Sequence, residues 1–281
     1  MIGVPTPAGE GPRRAAVLGS PVSHSRSPDL HLAAYRALGL VGWTYERIEC
    51  TAEQLPDLVS ALDERYVGLS VTMPGKHAAL AFADVVTDRA RLVGSANTLV
   101  RTDAGWRADC TDIDGIAGAL SEVGASDLCG AAAVVVGAGG TAAPAIAGLA
   151  AAGVQSLSLA VRNPDRAGRA VAVAEAAGLD VSIVNVGDPG RLRRVCADSA
   201  VLISTIPAEG TAPVCAELAA ATRVIDVIYH PWPTPLADAV GAAGGTVVGG
   251  LVMLLNQAFG QVEQFTGRPA PRAAMAAALA S

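Results

Sequence analysis

From Ala131 to Val161 the chain reads AAAVVVGAGGTAAPAIAGLAAAGVQSLSLAV without a single charge. A run this long and uncharged would suit a membrane span, but its glycines and Pro144 break it into shorter pieces. The pieces are a strand of β-branched residues, a glycine turn, an alanine-rich helix and a second strand. A strand passing through a helix to a neighbouring strand must pair in parallel, so this stretch predicts a βαβ unit and rules out an all-helical or all-antiparallel fold. The turn has the form G-x-G-x-x-A, with Gly137, Gly139 and Ala142 in the key places. Glycines allow a tight turn and close backbone approach, while the helix N-terminus offers unpaired amides to a pyrophosphate. Gly137, Ala138, Gly139, Gly140, Thr141 and Ala142 are therefore candidate dinucleotide contacts.

The end of the second strand bears on which dinucleotide is bound. An acid there would hold free ribose hydroxyls, whereas arginines accommodate a 2'-phosphate. The chain has AVRNPDRA, with Arg162, Asn163 and Arg166 around the turn, and Asp165 past the strand end. Guanidinium groups match phosphate bidentately, so the expected cofactor is NADP. A solvated charged turn is the plainer alternative.

The same alternation extends over the rest of the chain. AAVLGSPV, WTYERIEC and YVGLSVTM read as strands, with helices over SPDLHLAAYRALGL and TAEQLPDLVSAL between them. Gly39 is placed to end the first helix, and Thr51 with Gln54 forms a capping box for the second. This opening portion is expected to form a parallel sheet. From Ala131, six apolar strands (AAAVVVGAGG, LSLAVRN, VSIVNV, AVLISTIP, RVIDVIY and TVVGG) predict a doubly wound nucleotide-binding sheet. LVMLLNQAFGQVEQFTG and PAPRAAMAAALA read as closing helices. At 281 residues the expectation is two domains.

A net charge of -6 and a charged fraction of 16% suit a compact enzyme and argue against nucleic acid as partner. Cys50, Cys110, Cys129, Cys196 and Cys215 are scattered, with no C-x-x-C and no histidine at ligand spacing, so a reduced cytoplasmic protein without metal is expected. MIGVPTPAGEGPRR has neither an apolar core nor a cleavage-like site and reads as a frayed leader.

Of the 20 Lys plus Arg, one is lysine: Lys76, in SVTMPGKHAAL. An ammonium can give up its proton near neutral pH where a guanidinium cannot, so the exception points toward proton transfer. Three hydroxyls alternate ahead of the first helix at Ser23, Ser25 and Ser27, in a pattern that can cap the helix or bind a small anion. Further polar groups recur in apolar surroundings in SVTMPGK, SANTLV and ADCTDIDG.

The order of SPVSHSRSP, SVTMPGK, GSANT, CTDIDG, VVVGAGG, VRNPDRA, VIDVIYHPWPTPL and GLVMLLNQAFGQVEQFTG resembles the shikimate dehydrogenase family over nearly the whole chain. The resemblance implies a two-lobed α/β fold. A substrate-binding and catalytic domain over 1–108, completed by helices over 249–281, would flank a Rossmann-type NADP domain over 109–248. It implies reversible reduction of 3-dehydroshikimate to shikimate by NADPH, with Lys76 and Asp112 handling the proton and Asp114 as the rival acid. It places Ser25, Ser27 and Tyr229 at the substrate carboxylate, and Ser70, Thr72, Asn97 and Gln257 around the ring. It adds Thr205, Ile228 and Gly250 to the NADP contacts. Two positions depart from the family pattern: Ser70 and Cys110 stand where the family has asparagine. The rival readings are a quinate and shikimate dehydrogenase using NAD, and a non-catalytic NADP(H)-binding sensor. A monomer or homodimer with a small-molecule substrate and no membrane partner is expected.

Overall fold

The computed structural model describes residues 11–280, so the leader expected at the N-terminus lies outside the described residues as far as position 10. The chain divides into two units. One runs to Thr111 and resumes at Gln257, and the other spans Asp112–Asn256.

In the first unit the elements follow as β1 (Arg14–Gly19), α1 (Ser27–Ala37), β2 (Thr44–Glu49), α2 (Leu55–Ser60) and β3 (Tyr66–Val71). They continue with α3 (Lys76–Phe82), β4 (Val85–Val86), α4 (Asp88–Val93), β5 (Thr98–Thr102) and β6 (Gly105–Asp109). The sheet order is β2-β1-β3-β5-β6-β4. β2, β1 and β3 are parallel as expected, but β5 runs antiparallel to both β3 and β6, which corrects the all-parallel reading of this portion. For the β5–β6 pair the reason is local: only Asp103 and Ala104 separate the two strands, and Gly105 takes φ +100°. Two residues can close a hairpin but cannot carry a parallel crossover.

The helix ends follow from their sequences. Gly39 has φ +67° just after α1, the left-handed conformation that glycine adopts without strain. The Thr51 backbone N–H donates to Gln54 Oε1 at 3.0 Å, and the Gln54 N–H donates to Thr51 Oγ1 at 3.4 Å. The box is made, and α2 proper opens one residue later at Leu55. Leu18, Leu69, Leu99 and Trp106 centre the core beneath this sheet. Each such large side chain removed from water contributes about 1.5–3 kcal/mol.

The second unit opens with α5 (Asp112–Glu122), β7 (Ala132–Val136), α6 (Ala142–Ala151), β8 (Ser156–Val161), α7 (Gly168–Ala176) and β9 (Asp180–Asn185). It continues with α8 (Pro189–Ala197), β10 (Val201–Ser204), α9 (Ala208–Thr211), α10 (Cys215–Leu218), β11 (Arg223–Asp226), α11 (Pro235–Ala242) and β12 (Thr246–Gly249). Its sheet is parallel throughout, in the order β12-β11-β10-β7-β8-β9. The chain winds outward from β7 in both directions, so β7 and β10 flank the point where strand order reverses. α6 is built of small residues because α5 lies close against it: a Cβ on Gly148 would stand 2.6 Å from Ile116 Cγ2.

α12 (Gly250–Thr266) and α13 (Arg272–Ala277) complete the chain. The unit boundary falls inside α12, at Gln257 instead of 249, because the later turns of this helix bond the first sheet. The other boundary falls after Thr111 instead of 108, because β6 pairs with β5 as far as Asp109 and Thr111 bonds Asn97. α13 packs on α1, and the Phe265 ring of α12 packs against Gly68, where any Cβ would overlap it. No helix among the described residues is long and apolar enough to cross a membrane.

Candidate active site

The second unit carries a cavity of about 590 Å³ at the C-terminal ends of β7, β8 and β10. Gly137 turns the chain out of β7 with φ +102°. Behind it, Thr205 closes the turn by donating both its N–H (2.9 Å) and its hydroxyl (2.8 Å) to the Val136 carbonyl. A Cβ at 137 would stand 2.5 Å from Ile206 Cγ2 and 2.7 Å from Thr205 Oγ1, so protein packing alone demands glycine there. At Gly139 and Gly140 no atom beyond the adjoining residues lies within 4 Å of where a Cβ would be. These two glycines leave their backbone open, as close approach of a pyrophosphate requires.

Ala138, Gly139, Arg162, Asn163 and Arg166 line the cavity. Asn163 Oδ1 accepts the Asp165 N–H at 3.0 Å, holding the short turn Pro164–Arg166 that presents both arginines. The acid among the lining residues is Glu209, which the sequence reading passed over. Gly140, Thr141 and Ala142 lead away into α6, and Ile228 and Gly250 lie beyond the lining, at the ends of β11 and β12. Gly250 has a packing reason of its own, since a side chain there would overlap the Val227 carbonyl. At the end of β11, two residues before Ile228, Asp226 is fully buried. Thr234 donates to its Oδ2 at 2.7 Å and Ile228 N–H to its Oδ1 at 3.3 Å, anchoring the loop that carries Tyr229. Burial raises the Asp226 pKa against those two bonds.

In the first unit the sequence-predicted groups gather at the strand ends. Lys76 is the first residue of α3, and its carbonyl accepts the Ala96 N–H at 3.0 Å. The Asn97 carbonyl accepts the Val71 N–H at 2.7 Å, and the Thr72 N–H bonds the Leu18 carbonyl at 2.8 Å. These backbone bonds bring the turn after β3 beside Asn97. The Asn97 amide is held in one orientation: Oδ1 accepts from Thr111 N–H at 2.8 Å and Thr98 Oγ1 at 2.9 Å. Its Nδ2 donates to Thr111 Oγ1 at 3.0 Å and to Gln257 Oε1 at 3.1 Å. Asp112 and Asp114 belong to the second unit, where both fall in the first turn of α5, with Asp112 buried.

The serine loop is fastened by β2. Arg47 donates twice to the Ser25 carbonyl, at 2.6 and 3.0 Å, and Glu49 accepts from Ser20 Oγ at 2.6 Å and Val22 N–H at 3.3 Å. Ser25 Oγ accepts the Ser27 N–H at 3.3 Å, and Ser27 is buried. Tyr45, also on β2, bonds Ser27 and donates to Ser70 Oγ at 2.6 Å.

Ser70 therefore lies within a buried network. It donates to Gln261 Oε1 at 2.7 Å, so an amide from α12 stands beside the position where the family pattern has asparagine. Gln261 Nε2 donates to the Asn97 carbonyl at 3.1 Å and to Thr98 Oγ1 at 3.0 Å. His31 Nε2 meets Gln261 Oε1 at 3.3 Å, and its ring stacks on Tyr45 at 4.1 Å and Phe265 at 5.5 Å. Burial lowers the His31 pKa to about 3 against the opposing Gln261 bond, and burial raises that of Tyr45.

Asp109 is a further group missed in sequence. It takes Arg89 at 2.5 and 2.7 Å, Thr87 at 2.8 Å and Gln264 at 2.8 Å. Burial opposes its charge, but Arg89, Thr87 and Gln264 outweigh that and hold its pKa at about 2. Gln257, Gln261 and Gln264 recur at helical spacing on α12, and that stripe was the available signal for the network. Cys110 is buried, and no cluster among the described residues could hold a metal ion.

Two family models match the chain. The shikimate dehydrogenase substrate binding domain covers residues 17–99, and the shikimate 5'-dehydrogenase C-terminal domain covers 250–280. Shikimate dehydrogenase (NADP(+)) of Methylobacterium radiotolerans is 36% identical over 269 residues, covering 92% of this chain and 93% of the relative. Among solved structures, shikimate dehydrogenase of Mycobacterium tuberculosis is 58% identical with a TM-score of 0.90, over 96% of this chain and 99% of that one. The shikimate 5-dehydrogenase of Thermus thermophilus in complex with NADP(H) and shikimate is 31% identical with a TM-score of 0.80, over 95% and 98%. With its glycine turn at the strand-order reversal and its polar groups at the first sheet's strand ends, the chain belongs to the shikimate dehydrogenase family.

Proposed function

We propose that the protein is an NADP-dependent oxidoreductase interconverting 3-dehydroshikimate and shikimate in the cytoplasm, as a step of aromatic amino acid biosynthesis. The observation that carries this reading is the cavity over the glycine turn, flanked by Arg162 and Arg166. Its chemistry fits the cofactor: open glycine backbone for the pyrophosphate and two guanidinium groups for a 2'-phosphate. NADP, when bound, supplies the nicotinamide that exchanges a hydride with the carbon bearing the reacting oxygen.

The rest falls to side chains of this chain. Ser25 and Ser27 hold the substrate carboxylate on a loop that Arg47 and Glu49 fasten to β2. Tyr229 serves the same carboxylate. Thr72, Asn97 and Gln257 meet the ring oxygens, the last two bonded to each other directly and both to Thr111. Lys76 gives a proton to the reacting oxygen during reduction and takes it back during oxidation, and Asp112 orients it. Ser70 is one bond removed from this set, because its hydroxyl is engaged with Tyr45 and Gln261.

Absorbance at 340 nm with shikimate and NADP tests the reading, run beside quinate, NAD and the Lys76→Arg variant. Turnover confined to shikimate and NADP, with kcat lowered by about 100-fold or more in the variant, is expected of a general acid–base group. Cofactor binding without turnover on either substrate would support the sensor reading instead.

A further inference from the structure

The cavity over the glycine turn has three walls, and the phosphates of the proposed cofactor account for two of them. The pyrophosphate takes the open backbone at Gly139 and Gly140 after β7, and a 2'-phosphate takes Arg162 and Arg166 after β8. The third wall follows β10 and is made by Ile206, Pro207, Glu209 and Gly210. β8 and β10 both pair with β7, so their ends stand about 10 Å apart, two strand spacings. An adenosine held by its 5' side over β7 and by its 2' side over β8 has its base left to fill the space toward β10.

The turn after β10 is built to hold one side chain in place. The Gly210 N–H donates to the Pro207 carbonyl at 2.8 Å, and the buried Thr211 donates its hydroxyl to the Ala208 carbonyl at 3.0 Å. A Cβ on Gly210 would stand 3.1 Å from Ile206 Cδ1, so the turn lies tight on the isoleucine. Glu209 sits in the middle of that turn and is the odd member of the lining. A carboxylate repels both phosphates, and it gains there only by accepting from a donor. An adenosine 2'-phosphate has two donors left. The 3'-hydroxyl lies beside the phosphate, on the arginine side, whereas the 6-amino group lies at the edge of the base away from the ribose, on the side of β10.

We propose that Glu209 is a specificity-determining residue for the cofactor, its carboxylate accepting a hydrogen bond from the adenine 6-amino group while Ile206 gives the base an apolar surface. This rests on the reading that the cavity takes NADP. A carboxylate only accepts, so a purine with a carbonyl at position 6 sets oxygen against oxygen and is rejected. The chain thereby reads the base as well as the 2'-phosphate.

Calorimetry on the full chain tests this with NADP and with nicotinamide hypoxanthine dinucleotide phosphate, in which a carbonyl replaces the 6-amino group. Wild type should bind NADP about 10-fold or more tightly than the analogue, the yield of one charge-assisted hydrogen bond. Glu209→Ala should bring the two Kd values within about 2-fold of each other, since neither partner of that bond is then favoured. Removing a negative charge strengthens the binding of both anions alike, so the ratio of the two Kd values is the readout. Glu209→Gln is equally uncharged, but its amide can turn an oxygen to the amine or a nitrogen to the carbonyl. It should hold both dinucleotides about 3- to 10-fold more tightly than Glu209→Ala does. Glu209 is exposed, so both variants should fold as wild type does. The proposal is overturned if wild type does not discriminate, if Glu209→Ala keeps the wild-type ratio, or if Glu209→Gln binds neither dinucleotide more tightly than Glu209→Ala. Those outcomes leave the cofactor reading intact as long as wild type binds NADP. Wild-type protein that binds neither dinucleotide would remove the cofactor reading itself, and the proposal with it.

Discussion

Lowering the pH from 6.5 to 4.5 should destabilise the first unit through one side chain, His31. Its imidazole is fully buried, stacked between Tyr45 and Phe265, and its pKa is lowered from 6.5 to about 3, chiefly by burial. Below pH 6.5 the unfolded chain takes up a proton that the folded chain refuses until about pH 3, so the stability contributed is present above 6.5 and lost progressively as pH falls. One pKa unit corresponds to about 1.4 kcal/mol, so the whole window is worth about 5 kcal/mol, of which about 2 is lost by pH 4.5. Urea unfolding read by Trp43 and Trp106 in a Trp232→Phe background follows the first unit alone. His31→Phe retains the ring stack and leaves Gln261 Oε1 with its Ser70 bond, so this variant should show little slope over the same pH range. Equal slopes in wild type and His31→Phe, or an imidazole NMR titration near 6.5 in the folded protein, would refute the reasoning.

Asp109 acts in a lower window. Its pKa is held at about 2, so the stability it contributes is present above about pH 4 and lost as pH falls toward 2, and Asp109→Asn should cost about 2 kcal/mol at pH 6 with the gap narrowing below pH 4. Denaturant titrations at pH 6 and 3 check this, and a gap that stays constant would contradict it. Gly137→Ala places a Cβ 2.5 Å from Ile206 at a positive φ, and the Kd for NADP measured by calorimetry should rise about 10-fold or more, from about 1–3 kcal/mol of strain. Replacing Arg162 and Arg166 together by Ala should raise the KM for NADP by about 10- to 100-fold and leave that for NAD within about 2-fold, since only the 2'-phosphate distinguishes the two. Equal losses with both cofactors would remove the arginines from that role.

The second unit was legible because its signals are local. β-branched runs, the glycine turn and the arginine pair lie within one or two elements of each other, and the positive φ of Gly137 follows from the turn that its neighbours require. The first unit was less so. Its β5–β6 hairpin carries a weak local signal, because both strands are short and end in the polar residues around Asn97 and Cys110. Ser70 illustrates the limit further: a single hydroxyl in a strand discloses nothing of its partners, and its neighbours Tyr45 and Gln261 lie 25 and 191 positions away.

The sequence by itself determined the strand and helix alternation, the glycine turn with its arginines, and the residue types at the strand ends, because periodicity and backbone preference act between near neighbours. Only the tertiary structure decided that β5 turns back on β3, that a stripe of glutamines on α12 completes the first sheet, and which way each buried amide points. Those outcomes depend on groups far apart in the chain competing for the same few donors and acceptors once water is excluded, a competition that exists only after the elements have packed.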